Sequence, residues 1–407
     1  MRLWVDVLNA AGDRLGPGPV VAAQTATVQR VLDGAGGWSL SLPAGERRHL
    51  ELLREGNRVV IWGEQLGAAR RLGGGQIEEV TLRAAADGAV MMVKGPDRLA
   101  ELKHASTLLN RQYTGAAIAA VASELAGLAG WTAIVESGLG ATTLGFNGES
   151  ALKALQTLIE MHGLHLRLGE GDRTVEIGTF GEDCGMRLIQ RRALGIDVYD
   201  NPLVTLIESI TVRRDEREIV NWILPLGAKP KEGEPRVTLA YSTRSGPYAI
   251  KSMVGPDGSA LYYLTDAASE ARYGRRQAVK VYDQVKAASA APADMTAAAN
   301  ALYDAAASEL TRSNQRQESY DLTLVGVKQT IRPGDLVRVV YQGAVERDGE
   351  RVAWLDTDDL YWVVEVSETW GSEGHTVRVS VSNVDRVAED AAQTVARTVA
   401  KVRVMEV

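Results

Sequence analysis

Two histidines three residues apart, His162 and His165, with Glu160 close before them, have the residue types of a metal site. The segment reads H-G-L-H. Gly163 falls between them where a helix should stop, whereas a helix-borne zinc-protease motif sets its histidines four apart with a glutamate beside the first. A helix-terminal His162 beside a strand-borne His165 reads instead as packing and dipole compensation. Asp356, Asp358 and Asp359 in LDTDDLYW offer calcium ligands. They lack the central glycine and distal glutamate of a helix-loop-helix calcium site, so a solvated acidic hairpin is expected. Gly73, Gly74 and Gly75 lack the lysine and serine of a phosphate-cradling loop and read as a flexible break. Cys184, the one cysteine, forms neither an internal disulfide nor a thiolate metal site alone. With five histidines, at His49, His104, His162, His165 and His375, a serine or cysteine triad would rest on spatial coincidence. A glycosidase needs two carboxylates, and Glu136, Glu149 and Glu160 stay open to that role, although nothing in the sequence selects them. The expectation is a chain without catalytic residues, metal ligands or cofactor.

Charge and length bound the alternatives. The 407 residues carry 45 basic and 52 acidic groups, a net charge of −7, so no general attraction to nucleic acid or anionic membrane is expected. Arg213, Arg214 and Arg217 alternate with Asp215, Glu216 and Glu218, the pattern of an exposed hairpin. Arg187, Arg191 and Arg192, like Arg272, Arg275 and Arg276, are less balanced and read as solvated or subunit-contacting groups. The opening MRLWVDVLNAAGDRL lacks a basic segment followed by an apolar core, and no window approaches a membrane span. The length allows roughly two to four domains.

Four regions and a tail are expected to position these groups. Residues 1–96 alternate as strands: Leu3, Val5 and Val7, then Val59 to Trp62, then IEEVTLR, giving a small β-barrel or sandwich. Residues 97–180 form an α/β module. It has a short helix at Leu99 and Leu102, a helix from Ala116 to Leu128, a strand at Trp131 to Val135, and a helix capped by Ser150 and stopped by Gly163. Residues 181–317 are β-rich with helices, including an Ala-rich helix capped by Asp294 and anchored by Tyr303 and Leu310. Residues 318–386 return to strands, one of them, LVRVVY, ending near Gly343, and suggest a second barrel duplicating the first. In the tail, 387–407, Val387, Ala391, Val395 and Val399 make a narrow apolar stripe, a frayed surface helix or one that docks on a partner.

The densest segment is YYLTDAASEARYGRRQAVKVYDQV, from Tyr262 to Val285. Leu261 to Leu264 read as a strand, Thr265 or Asp266 as the cap of a helix starting at Ala267, and Gly274 as its left-handed C-cap. Val279, Val281 and Val285, alternating with Lys280 and Gln284, read as a return strand with the valines on its apolar side. Asp266, Ser269, Tyr273, Gly274 and Arg275, in the pattern D-x-x-S-x-x-x-Y-G-R, resemble a segment of hub proteins at the tail tip of tailed bacteriophages. YTGAAIAAVASELAGLAGWTAIV, FNGESALKALQTLIEMHGLHLRL and IRPGDLVRVVY with YWVVEVSETW resemble the same family in the same order and sample most of the chain.

The likeness is nearer to the hubs of long non-contractile, siphovirus-type tails than to the related contractile-tail baseplate hubs. It implies an α+β, multidomain fold with two tail-tube-like β-barrel domains and α/β modules between them. It further implies a homotrimer in the virion, made in the cytoplasm of the infected bacterium and without a membrane-spanning segment. Six barrels from three subunits would match a six-fold tail tube. The implied partners are the tail tube protein, the distal tail protein, the tape measure protein and a three-fold central fibre or spike, with DNA passing through the channel. Two other readings stay open. One is a tail-associated cell-wall hydrolase; the other is a carbohydrate- or receptor-binding module with Trp354, Trp362 and Trp370 as platforms.

Overall fold

The computed structural model describes residues 2–65, 68–85, 88–190, 201–230, 235–347, 350–371 and 374–385. Period-two alternation builds the first region. Its elements are β1 (Arg2–Leu8), β2 (Thr25–Val31), β3 (Gly37–Pro43), α1 (Arg47–Leu52), β4 (Arg58–Gln65), β5 (Ala68–Gln76), β6 (Glu79–Ala85) and β7 (Gly88–Pro96). Val5 and Val7 point inward from β1, as alternation requires. The β1-β4-β5 sheet stacks on β2, β3 and β7 around Val28, Trp38, Leu40, Ile61, Leu72 and Val93. Among the described residues these sheets form a sandwich, and no ladder closes them into a barrel.

The glycine run expected as a break is the body of β5 instead. A Cβ on Gly73 would lie 2.6 Å from Val28 Cγ1, and one on Gly75 2.1 Å from the Pro96 carbonyl oxygen. Glycine therefore admits neighbouring backbone and side chains that no other residue leaves room for.

The second region contains a 3-10 helix at Arg98–His104, then β8 (Arg111–Ala117), α2 (Ile118–Gly127), β9 (Thr132–Val135), β10 (Ala141–Phe146), α3 (Ala151–His162), β11 (His165–Leu168) and β12 (Thr174–Gly178). Local signals hold well here. The Ser150 hydroxyl accepts the Lys153 N–H at 3.3 Å, and Gly163 closes α3 in the left-handed conformation, φ 62° and ψ 31°.

The third region contains β13 (Asp183–Gln190), β14 (Val204–Asp215), β15 (Trp222–Gly227), β16 (Lys251–Val254), β17 (Ala260–Thr265), α4 (Ala267–Tyr273), β18 (Gln277–Tyr282) and α5 (Pro292–Ser313). The N-cap of α5 is Ala291, with Pro292 at the first turn. Asp294, expected as the cap, lies inside that turn and accepts the Ser289 hydroxyl at 2.5 Å. Tyr303 and Leu310 are buried, and α5 shares one continuous core with α2 and α3. The regions expected at 97–180 and 181–317 thus meet in a single interior.

The last strands are β19 (Gln317–Val325), β20 (Leu336–Arg347), β21 (Glu350–Gly371) and β22 (Gly374–Ser382). Pairings run β20–β13, β13–β14, β14–β19, β19–β22, β22–β21 and back from β21 to β20, a closed ring of six strands. Every one of the six contributes to its core, which includes Leu188, Ile207, Leu322, Val339, Val363 and Val379. Two of these strands, β13 and β14, come from the region assigned by sequence to the preceding module. β20 does not end at Gly343. The ladder shifts register there, and the Trp354 ring packs so close that a Cβ on Gly343 would lie 2.5 Å from it. Asp356, Asp358 and Asp359 are exposed on β21, one arm of the antiparallel β20–β21 hairpin, with Asp358 held by Arg338 at 2.6 Å, the solvated acidic hairpin expected. The far end of β21 pairs with β2, carrying Trp370 into the sandwich core. Among the described residues no helix is long and apolar enough to cross a membrane.

Candidate functional site

The D-x-x-S-x-x-x-Y-G-R segment folds into a polar knot around a residue outside it. Asp266 caps α4 by accepting the Ala268 and Ser269 N–H groups at 2.9 and 3.0 Å, and its other oxygen accepts from the Asn314 amide at 2.7 Å. The Ser269 hydroxyl donates to the Asn314 carbonyl at the end of α5. At the centre lies Asn221, wholly buried, just ahead of β15. Its side-chain amide donates to the Gly274 carbonyl at 2.7 Å, its side-chain oxygen accepts the Arg276 N–H at 2.8 Å, and its carbonyl accepts from Asp266 N and Thr265 Oγ1, both at 3.0 Å. Arg275 pairs with Glu270 at 2.5 Å, and Tyr273 lies under the Arg272 guanidinium at 5.1 Å. The knot fastens α4 and the end of α5 to the β16-β17-β15-β18 sheet. Asn221 was not singled out by the sequence. Its one signal was a polar residue heading the apolar run WILPLG.

Gly274 departs from the expected left-handed cap. Its φ is 73° but its ψ is 169°, a region open almost only to glycine. A Cβ there would meet nothing within 4 Å, so Gly274→Ala acts through backbone strain alone. The expected cost is about 1–3 kcal/mol. Chemical denaturation of the variant measures it, and an unshifted midpoint contradicts it.

The return strand β18 is present, with its faces opposite to the expectation. Val279 and Val281 are 61% and 49% exposed. The inward positions belong to Ala278, Lys280 and Tyr282, because α5 covers that face and presents Glu309 to Lys280 at 3.0 Å. Val285, just past the strand, is fully buried.

The other candidate groups stay apart. His162 bonds Thr142 Oγ1 at 2.8 Å, whereas His165 is buried against Asp33 at 2.9 Å and Asp385 at 3.4 Å. Glu136 accepts the Thr179 N–H at 2.6 Å, and Glu149 accepts the Asn147 N–H. The Cys184 thiol, on the surface, donates to the Leu336 carbonyl at 3.2 Å. The tryptophans do not form one exposed platform: Trp370 is 1% exposed, Trp362 is half-buried beside His165, and Trp354 is 40% exposed. The stripe of Val387, Ala391, Val395 and Val399 lies outside the described residues, as do Arg191 and Arg192.

A buried charge cluster that no local sequence pattern marks surrounds Glu368. Glu368 on β21, 3% exposed, binds Arg30 at 2.7 Å, Arg70, and His375 at 3.1 Å. Burial alone would raise its pKa. The hydrogen bond from His375 and the charges of Arg30 and Arg70 outweigh that and hold it well below the usual carboxylate range.

A closed six-stranded ring, a β-sandwich joined to it by a shared strand and an α/β block tied by a polar knot define a β-rich scaffold, and its fold is that of prophage tail proteins. The chain is similar to the 43 kDa tail protein of prophage MuSo2 from Shewanella oneidensis, with 16% identity, 94% of this chain and 98% of that one covered, and a TM-score of 0.57. It is similar to a tail protein from Neisseria meningitidis MC58, with 12% identity, 94% and 96% covered, and a TM-score of 0.55. It is also similar to prophage tail protein gp18 from Listeria monocytogenes EGD-e, with 10% identity, 97% and 98% covered, and a TM-score of 0.54. At these identities the likeness is one of fold. Neither a family model nor a curated protein matches the chain.

Proposed function

We propose that this chain is a structural hub at the distal end of a bacteriophage tail, a homotrimer that adapts a six-fold tube and distal-tail ring to a three-fold central fibre or spike. The observation that carries the reading is the end-to-end fold match, 94% of this chain against 98% of the Shewanella tail protein. In this role the six-stranded ring and the 1–96 sandwich are the two tube-like units of each subunit, and three subunits set six such units around a channel for DNA. The α/β block braces the ring from outside, with Asp266, Ser269, Tyr273, Gly274 and Arg275 holding its sheet and helices in register. The 387–407 segment docks on a neighbouring tail component, with the tail tube, distal tail and tape measure proteins as the wider set of contacts. The role is mechanical and involves no reaction.

Solution mass measurement with negative-stain microscopy of the concentrated protein tests this reading. The expected result is a mass of three chains and a three-fold ring with a pseudo-six-fold outline. A particle that stays monomeric at every concentration and cleaves cell-wall material would replace the hub with a hydrolase.

A further inference from the structure

Where the sandwich meets the β11–β12 turn and the loop between β19 and β20, there is a cavity of about 320 Å³. Gly73 and Gly74 on one wall and Gly169 and Gly171 on another bring no side chains to it. Its charged lining is dominated by arginines. Arg30 and Arg70 share Glu368. Arg167 and Arg332 share Glu176, at 2.9 and 2.8 Å, and Arg167 also reaches Asp335 at 3.0 Å. Arg98 and Arg173 share Glu101, at 3.5 and 3.2 Å. Arg71 has only Asp172, at 3.9 Å, a 73% exposed carboxylate that Arg98 also contacts.

None of those five carboxylates lines the cavity. The acids that do are Asp97, whose oxygens accept the Gly36 and Leu99 N–H groups at 2.8 and 2.9 Å, and Glu170, an 85% exposed side chain 3.9 Å from Arg332. The other five offset much of the arginines' charge from outside the cavity, whose own lining carries seven arginines against two carboxylates. Each guanidinium has five N–H donors in a fork that matches phosphate oxygens, and Arg71 makes no hydrogen bond among the described residues. Burial lowers the pKa of Arg71 and of Arg98, the mark of cations short of solvent, although Glu101 draws that of Arg98 back up.

We propose that this cavity binds a compact phosphate-class polyanion, with the charge and size of pyrophosphate or triphosphate, free or as the phosphate tail of a nucleotide. The volume lies at the small end of the range for ligand sites, about 300–1,000 Å³. Seven arginines around one small cavity favour a compact, multiply charged anion over a duplex backbone, whose phosphates are met one by one along a surface. An anion there bridges the sandwich, the α/β block and the β19–β20 loop, so binding stabilises the fold. The proposal concerns a single chain and is independent of the trimer.

Calorimetric titration of the full chain with tripolyphosphate, pyrophosphate and ATP, beside sulfate at equal ionic strength, tests it. The expected result is saturable one-to-one binding of tripolyphosphate, a raised melting temperature, and roughly tenfold weaker binding in Arg71→Gln. Arg71 is chosen because its guanidinium carries no hydrogen bond among the described residues, and Arg173→Gln, at a 41% exposed side chain, is the second variant. Equal affinity for ATP assigns the site to a phosphate tail, and tripolyphosphate binding without ATP assigns it to a free polyanion. Three results overturn it: tripolyphosphate acting no more strongly than sulfate, a short DNA duplex binding more tightly than tripolyphosphate, or unchanged affinity in both variants.

Discussion

Asn221→Ala is expected to lower stability by about 1–3 kcal/mol, because it removes the partner of the Gly274 carbonyl and the Arg276 N–H, two part-buried bonds that hold the knot. Each bond contributes about 0.5–1.5 kcal/mol, since the exposed Gly274 and half-buried Arg276 can turn to water, while Asn221 itself is wholly buried. Asn221→Asp separates the two bonds. It keeps an acceptor for Arg276 but cannot donate to Gly274 and brings a charge into the core, so it is expected to be no better than alanine. Denaturant unfolding of both variants decides the matter. A loss below about 1 kcal/mol in Asn221→Ala would mean that the knot relaxes around the gap and does not fix the sheet to its helices.

Glu368→Ala is expected to cost about 3 kcal/mol, the low end for breaking a buried charge cluster, because the Arg30 and Arg70 side chains keep 21% and 37% exposure to water. Its pH dependence has a definite sign. The carboxyl is depressed in the folded state and ordinary, about 4.3, when unfolded, so its contribution is complete above that value and declines as pH falls toward the folded pKa. The stability difference between wild type and variant should therefore be level near neutrality and shrink in acid. A difference that grows on acidification would reverse the assignment. Asp97 slopes the other way. Burial pushes it up to about 6, so the folded state holds a proton that the unfolded state has released, and stability falls as pH rises from about 4 to about 6.

What the sequence disclosed was set by the reach of its causes. Ser150, Gly163 and Asp266 act within four residues of themselves, and α3 and α4 begin and end where those residues place them. The faces of β18 depend on α5, and the valine pattern alone could not reveal which face that helix would cover. Asn221 meets partners 44 to 55 residues further on, so no local pattern marks it. Three glycines in a row carry the local signature of a break, whereas here they answer to Val28 and Pro96, distant in the chain. The six-stranded ring needs β13 to lie parallel to both β14 and β20, and parallel pairing leaves no hairpin signal. The motif geometry of α4 was legible; the charge cluster at Glu368 was not, since Arg30 lies 338 residues away.

The 22-residue strand β21 belongs to two interiors at once, with Val363 and Val366 in one and Trp370 in the other. It behaves as a common spar. A pull along it is resisted in shear by the ladders to β2, β20 and β22 together, so the load spreads over many bonds before any one parts. Neither β unit can tilt alone, because the spar would have to bend or slip register, and a one-residue slip would turn every core side chain outward. A push on one β unit is therefore carried to the other through β21.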